Sequence, residues 1–174
     1  MGKNIAFVLT ANPALKVVVT DIAETDIRAG IRANCRQLIE HSVITEAELE
    51  SRLNRIVFTT DMGSAPVRDA DLVIEAVYED MAVKRRTFAA LETLCREDAI
   101  FCTNTSVMSP SEISAELKCR TRFAGTHFWN PAHLIPLVEV VKSDATSDET
   151  AETVMALLVS AGKKPVLCQK DVPG

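Results

Sequence analysis

Short runs of β-branched and aromatic residues alternate along the chain with longer stretches whose apolar positions recur every three or four residues. The short runs predict strands at Lys16–Thr20, Ile56–Thr59, Leu72–Ala76, Ile100–Thr103, Phe123–Thr126, Val138–Val141 and Pro165–Cys168. The longer ones predict helices at Gly2–Thr10, Glu24–Ser42, Glu46–Asn54, Met81–Cys95, Ser109–Leu117 and Asp148–Ala161. Asp61, Asp80, Ser109 and Ser147 stand where N-caps belong, and Gly162 stands where a helix should end. Such strand–helix alternation predicts an α/β fold with a doubly wound, mostly parallel sheet. No repeat, low-complexity tract or linker interrupts it, so residues 1–174 read as one domain.

The opening breaks the pattern. Met1-Gly2-Lys3 runs directly into an apolar helical stretch, and the strand that follows ends in Asp21. Helix, β-branched strand and terminal acid form the back half of a dinucleotide-binding βαβ unit, whose front half is a strand and a G-x-G-x-x-G turn. Only Gly2 stands where the third glycine of that turn belongs. The expected architecture is therefore Rossmann-like, with its first strand missing.

Composition narrows the function classes. Apolar residues make up 47 % of the 174 and charged residues 25 %, as in ordinary globular proteins. A net charge of -5 carries no basic footprint for nucleic acid. No apolar run approaches membrane-spanning length, and Lys3–Ala11 barely reaches the core length of a signal peptide. Ala6 occupies the position where N-myristoylation wants Ser or Thr. Cys35, Cys95, Cys102, Cys119 and Cys168 are scattered with no metal-ligand spacing, which predicts reduced thiols, a cytoplasmic setting and no metal site.

Five groups of residues can carry chemistry. Asp21, at a strand's C-terminal end, suits the adenosine ribose of NAD and would repel a 2′-phosphate, though it equally suits an N-cap for the helix from Glu24. Glu79 and Lys84 follow an apolar strand into a helix, where they either face the ligand crevice or form a solvated first-turn pair. Asn104 and Ser106 follow another strand and can bind a carbonyl or hydroxyl, or simply serve the turn. His127 ends an apolar strand, and Glu139 sits between Val138 and Val140 in the next. An acid there needs a partner, and a His–Glu pair makes a general base. Arg28, Arg32 and Arg36 share one helix face, which can meet a phosphorylated tail such as that of coenzyme A or lie in solvent.

Taken together, these blocks resemble the N-terminal, NAD-binding domain of the 3-hydroxyacyl-CoA dehydrogenases, over almost the whole chain. The most specific parts are Asp71–Lys84, Asn104-Thr-Ser106, His127–Pro131 with Glu139, and the closing Lys170-Asp-Val-Pro-Gly174. The resemblance implies His127 as the base for the 3-hydroxyl proton, Glu139 as its orienting partner, and Ser106 and Asn130 as contacts to the substrate oxygen. It implies NAD contacts at Gly2, Asp21, Glu79, Lys84 and Asn104, and hydride transfer from C3 of a 3-hydroxyacyl-CoA to NAD in fatty acid metabolism. Val107 stands where the family usually has a second serine. The family's helical C-terminal domain, which carries the homodimer interface, part of the acyl pocket and a further active-site asparagine, follows the Val-Pro-Gly at which this sequence stops. On this reading residues 1–174 are an N-terminally truncated domain that binds NAD weakly and is inactive alone. Two alternatives stay open: a non-catalytic remnant, and a related NAD-dependent dehydrogenase of another 3-hydroxy substrate, such as a small hydroxy acid or a carnitine-like molecule.

Overall fold

The structure, a computed structural model, describes residues 1–171; Val172-Pro173-Gly174 of the closing block lie outside the described residues. The order is α1 (Gly2–Leu9), β1 (Val17–Thr20), α2 (Ile27–Glu40), α3 (Glu46–Leu53), β2 (Ile56–Thr59), α4 (Ala65–Arg68), β3 (Leu72–Glu75), α5 (Met81–Leu94), β4 (Ile100–Thr103), α6 (Pro110–Ser114), a 3₁₀ turn at Arg120–Arg122, β5 (Phe123–Phe128), β6 (Leu137–Lys142), α7 (Asp148–Ser160) and β7 (Lys164–Cys168). The α/β alternation is as expected. Strands β3 to β7 form one sheet in chain order, parallel except where β5 meets β6.

β1 and β2 pair with each other in a separate two-stranded parallel sheet. Helix α1 covers both sheets on one face: Ala6 and Phe7 pack with Val17 and Val19 of β1, whereas Ile5 and Val8 pack with Leu72 and Ile74 of β3. On the other face Val18 and Val73 meet the cluster built around Phe88. Two layers of helices thus clamp a sheet that is interrupted between β1 and β3.

Local chemistry sets the element ends. Asp80, Ser109 and Ser147 cap α5, α6 and α7 by accepting the N–H groups of Val83, Glu112 and Thr150 at 2.9, 3.2 and 3.1 Å. Gly162 follows α7 with φ 79°, a left-handed conformation that costs glycine little. Three expectations need correction. Asp61 does not cap a helix; its carboxylate accepts the Gly63 N–H at 2.8 Å in a local turn, and Ser64 precedes the short α4, which has too few turns to show in a periodicity. Helix α2 starts at Ile27 rather than Glu24, because Asp26 caps it through the Ala29 N–H at 2.9 Å. Asp21 is therefore not a helix cap. Helix α6 stops at Ser114, short of Leu117.

The core fixes the strands that carry the chemistry. Phe88 of α5 sets its ring edge against Phe101 of β4 and Phe123 of β5, with centroids 6.2 and 4.7 Å away. Lys84, Phe88 and Leu91 share the buried side of α5, so its first turns lie directly under the C-terminal ends of β3 and β4. Among the described residues, no helix is long and apolar enough to cross a membrane.

Candidate active site

The parallel strands β3, β4 and β5 bring three segments to one edge of the sheet: 76–80, 104–109 and 129–136. In open α/β sheets this edge is the ligand crevice. Antiparallel pairing of β5 with β6 sets His127 directly opposite Glu139. Their side chains meet, with His127 Nδ1 donating to Glu139 Oε2 at 2.7 Å. The other ring nitrogen, Nε2, lies 3.1 Å from Ser106 Oγ. A carboxylate on Nδ1 holds the proton there, which leaves Nε2 as the acceptor pointing toward the serine. With His127 and Glu139 at 23 and 34 % side-chain exposure, the relay is neither sealed in the core nor free in water. Trp129 lies beside it, 44 % exposed, its ring 5.8 Å from the imidazole and tilted by 38°.

A second cluster lies at the ends of β3 and β4. Lys84 has no exposed side-chain surface, and neither has Glu75, whose oxygens lie 2.9 and 3.1 Å from Lys84 Nζ. Glu75 also accepts the Thr103 hydroxyl at 2.7 Å and the Val77 N–H at 2.6 Å, so its lone pairs are well used. The ammonium makes a third contact, 3.1 Å to Glu79, whose side chain stays 38 % exposed at the crevice rim. Glu79 accepts a further short hydrogen bond from Thr105 Oγ1. Glu79 and Lys84 are thus brought together as an ion pair, but not as the solvated first-turn pair that spacing allows: the ammonium points inward, between two carboxylates.

Asn104 uses its side-chain oxygen to accept the Phe128 N–H at 3.0 Å, binding the end of β4 to the end of β5. Asn130 is exposed just beyond β5 and lines a cleft of about 470 Å³ together with Asn34, Arg36, Gln37 and His133. Burial lowers the His133 imidazole below its ordinary range, which favours the neutral ring. Of the arginine stripe, Arg32 is held by Glu50 through two 2.8 Å bonds, while Arg36 reaches the cleft. Asp21 lies exposed just past β1 and, among the described residues, its carboxylate accepts no hydrogen bond; Ile22 beside it is fully exposed. Gly2 opens α1 near the end of β3, where an added Cβ would come 3.7 Å from that of Ala76.

Glu75, Thr103, Thr105 and Trp129 escape the sequence reading. Glu75 carried a usable signal, being an acid in an apolar strand like Glu139. The threonines carried none, because a threonine at a strand end is ordinary β chemistry.

The comparisons with known proteins identify the family and the fold. The family model described as "3-hydroxyacyl-CoA dehydrogenase, NAD binding domain" matches residues 1–172. The chain belongs to that family, an NAD-dependent oxidoreductase family with a Rossmann-like fold. Among its relatives, the 3-hydroxyadipyl-CoA dehydrogenase of Escherichia coli K12 is 40 % identical over the whole chain, which covers 36 % of that protein. The solved (S)-3-hydroxybutyryl-CoA dehydrogenase PaaH1 of Ralstonia eutropha superposes with a TM-score of 0.92 at 32 % identity, over 100 % of this chain and 61 % of its own. An NAD⁺-dependent dismutase, 5-formyl-3-hydroxy-2-methylpyridine 4-carboxylic acid 5-dehydrogenase, superposes with a TM-score of 0.85 at 33 % identity, over 100 % of this chain and 56 % of its own. The chain spans between 36 and 60 % of the length of the first curated relatives it matches.

Proposed function

We propose that residues 1–174 are the NAD-binding and base-carrying part of a 3-hydroxyacyl-CoA dehydrogenase, which oxidises the C3 hydroxyl of its substrate. The observation that carries this is the Ser106–His127–Glu139 relay at the mouth of the crevice. His127 Nε2 takes the hydroxyl proton, and Glu139 holds the ring in the required tautomer and stabilises the imidazolium that results. Ser106, 3.1 Å from Nε2, holds the substrate oxygen in line with it, and Asn130, just beyond β5, is the second contact to that oxygen that the family resemblance implies. Bound NAD supplies the hydride acceptor.

The residues present fit the adenosine end of that cofactor. The carboxylate of Asp21 is open to ribose hydroxyls, and Ile22 offers an exposed apolar surface beside it. Gly2 places the first N–H groups of α1 near the end of β3, and Asn104 and Glu79 line the rim. The interruption between β1 and β3 supports a domain that takes one more strand there. Arg36 in the 470 Å³ cleft supports a phosphorylated substrate tail, as on coenzyme A. The free thiols support a reducing, cytoplasmic setting, where the reaction serves fatty acid β-oxidation, and we extend to this protein the homodimer that the family resemblance implies.

A second reading has its own support. Only Arg36 of the arginine stripe reaches the cleft, and one similar structure is named for a pyridine carboxylic acid rather than a thioester. Under it the same relay oxidises a small hydroxy acid. The test, made in a longer chain that carries a preceding strand and the C-terminal domain, is NADH formation from 3-hydroxybutyryl-CoA against the free 3-hydroxy acid. Thioester turnover is expected to dominate; turnover of the free acid alone establishes the second reading. His127→Ala should abolish the reaction while changing NAD affinity by less than about threefold. Unchanged turnover removes His127 from its role.

A further inference from the structure

Three cationic side chains border a cavity that, among the described residues, no acid lines. It measures about 190 Å³ and lies between α1, α2 and α3, the loop after β5 and the turn after α7. Arg52, His133 and Lys163 supply its charged and titratable groups, and the rest of its lining is apolar or glycine. Lys163 is only 9 % exposed; its ammonium donates to the carbonyls of Ala132 and Ile135, the latter at 2.9 Å, which leaves one N–H unspent. The Arg52 guanidinium lies over the Phe7 ring, 4.0 Å from its centroid. It donates from Nε to Thr10 Oγ1 at 3.2 Å and from Nη2 to the Phe7 carbonyl at 2.8 Å. Its Nη1 has only Glu48, half exposed and 3.6 Å away, beyond hydrogen-bond reach. His133 Nδ1 is buried and, among the described residues, has no partner. Burial holds all three cations below their ordinary ranges, and for Lys163 nothing offsets it.

We propose that this cavity binds a small free oxyanion, of the phosphate or sulfate type, through Lys163 Nζ, Arg52 Nη1 and His133 Nδ1. Unspent donors on three separate elements border one space, and an anion there supplies the counter-charge that the lining lacks. Water can fill the same space but brings no charge. The volume excludes a dinucleotide or an acyl-CoA, since pockets for drug-sized ligands begin at roughly 300 Å³. Val43, 64 % exposed at the lining, leaves a way in from solvent. A bound ion joins α3 to the loop 129–136, whose first residues, Trp129 and Asn130, lie just beyond the relay. The site stands whether or not that relay performs the chemistry proposed for it.

The experiment titrates the intact chain with sodium sulfate, whose charge is fixed across the pH range, against sodium chloride of equal ionic strength. NMR follows the His133 ring; the chain has three histidines, and His133→Asn assigns the resonance. The charged residues that line either cavity with His133 are Arg36, Arg52 and Lys163, all cations, so an arriving anion raises its midpoint. Sulfate is expected to raise it by more than about 0.5 pH unit, saturating below about 10 mM, where bulk screening is weak. Chloride is not. Arg52→Gln should weaken sulfate binding about tenfold. Lys163→Met should do the same; where it fails to fold, the arginine variant decides. His133 also borders the 470 Å³ cleft, so Arg36→Gln is the control and should change the sulfate affinity by less than about twofold. Equal responses to sulfate and chloride, or an unchanged sulfate response in Arg52→Gln, overturn the proposal. So does a response lost in Arg36→Gln alone, which puts the ion in the cleft.

Discussion

Two acid–cation groups lie within one crevice and differ mainly in their depth. Lys84 and Glu75 are sealed from water, and every charge has a partner at hydrogen-bond distance. His127 and Glu139 form an equally short contact at 2.7 Å, yet both remain partly open to solvent. In the first, a proton has nowhere to go and the ions act as mortar. In the second, one ring nitrogen is held and the other is offered to whatever enters. The difference teaches that a short ion pair says little about role until its exposure and its free lone pairs are counted.

The largest effect that separates the two is expected from Lys84→Met. Removing the ammonium leaves Glu75 as an uncompensated buried carboxylate, a loss of about 3–5 kcal/mol. For a domain of this size that lowers Tm by roughly 10 °C or more in a thermal melt. The double variant Lys84→Met with Glu75→Gln should recover much of it, since the stranded charge is gone. A single variant as stable as the parent would mean that the pair is open to water, and the contrast would fail.

Glu139→Gln should do the reverse. The amide keeps the shape, so stability should change by less than about 1 kcal/mol, as expected of a partly exposed pair. Turnover should fall about 100-fold, some 2.7 kcal/mol of transition-state stabilisation, because the imidazolium loses its counter-charge and the ring its preferred tautomer. Steady-state kinetics beside a thermal melt give both numbers. If stability falls and turnover does not, Glu139 belongs with Lys84 as structure.

The relay was legible in the sequence and the buried cluster was not, for a physical reason. An acid between Val138 and Val140 conflicts with its surroundings, and a conflict needs a partner, for which His127 was the nearest candidate in sequence; the roles of the pair came with the family resemblance. Glu75 makes the same conflict between Ile74 and Ala76, but its partner comes from the inward side of a helix nine residues on. There a lysine reads as surface, because lysine is almost never fully buried. Fold class and most elements followed from periodicity. Where it failed, elements were too short to show a period, as in α4, or a rival cap stood nearby, as with Asp26 for α2. The interruption between β1 and β3 is a matter of pairing, which depends on residues distant in the chain.

The smallest expected effect sharpens the comparison with a third carboxylate. Asp171, past the end of β7, accepts the Ser109 hydroxyl at 2.5 Å and the Ser111 N–H at 2.7 Å, which ties the segment after β7 to the start of α6 beside the Ser106 loop. Burial alone would raise its carboxyl pKa, but these donors outweigh it and hold the group below the ordinary carboxylate range. A depressed folded pKa means that the unfolded state takes up the proton first as pH falls. The stabilisation is then fully present above the unfolded value of about 3.9 and is lost as pH drops through the lower, folded one. Asp171→Asn should therefore lower Tm by roughly 2–4 °C at neutral pH, with the difference closing in the acid range just named. Melts of both proteins across that range decide between two kinds of tie. A gap that closes shows that Asp171 holds α6 as an ion, in the manner of Glu75; a gap that persists unchanged shows that it holds by shape and neutral hydrogen bonds, and that charge in this crevice belongs to the Lys84 cluster and the relay.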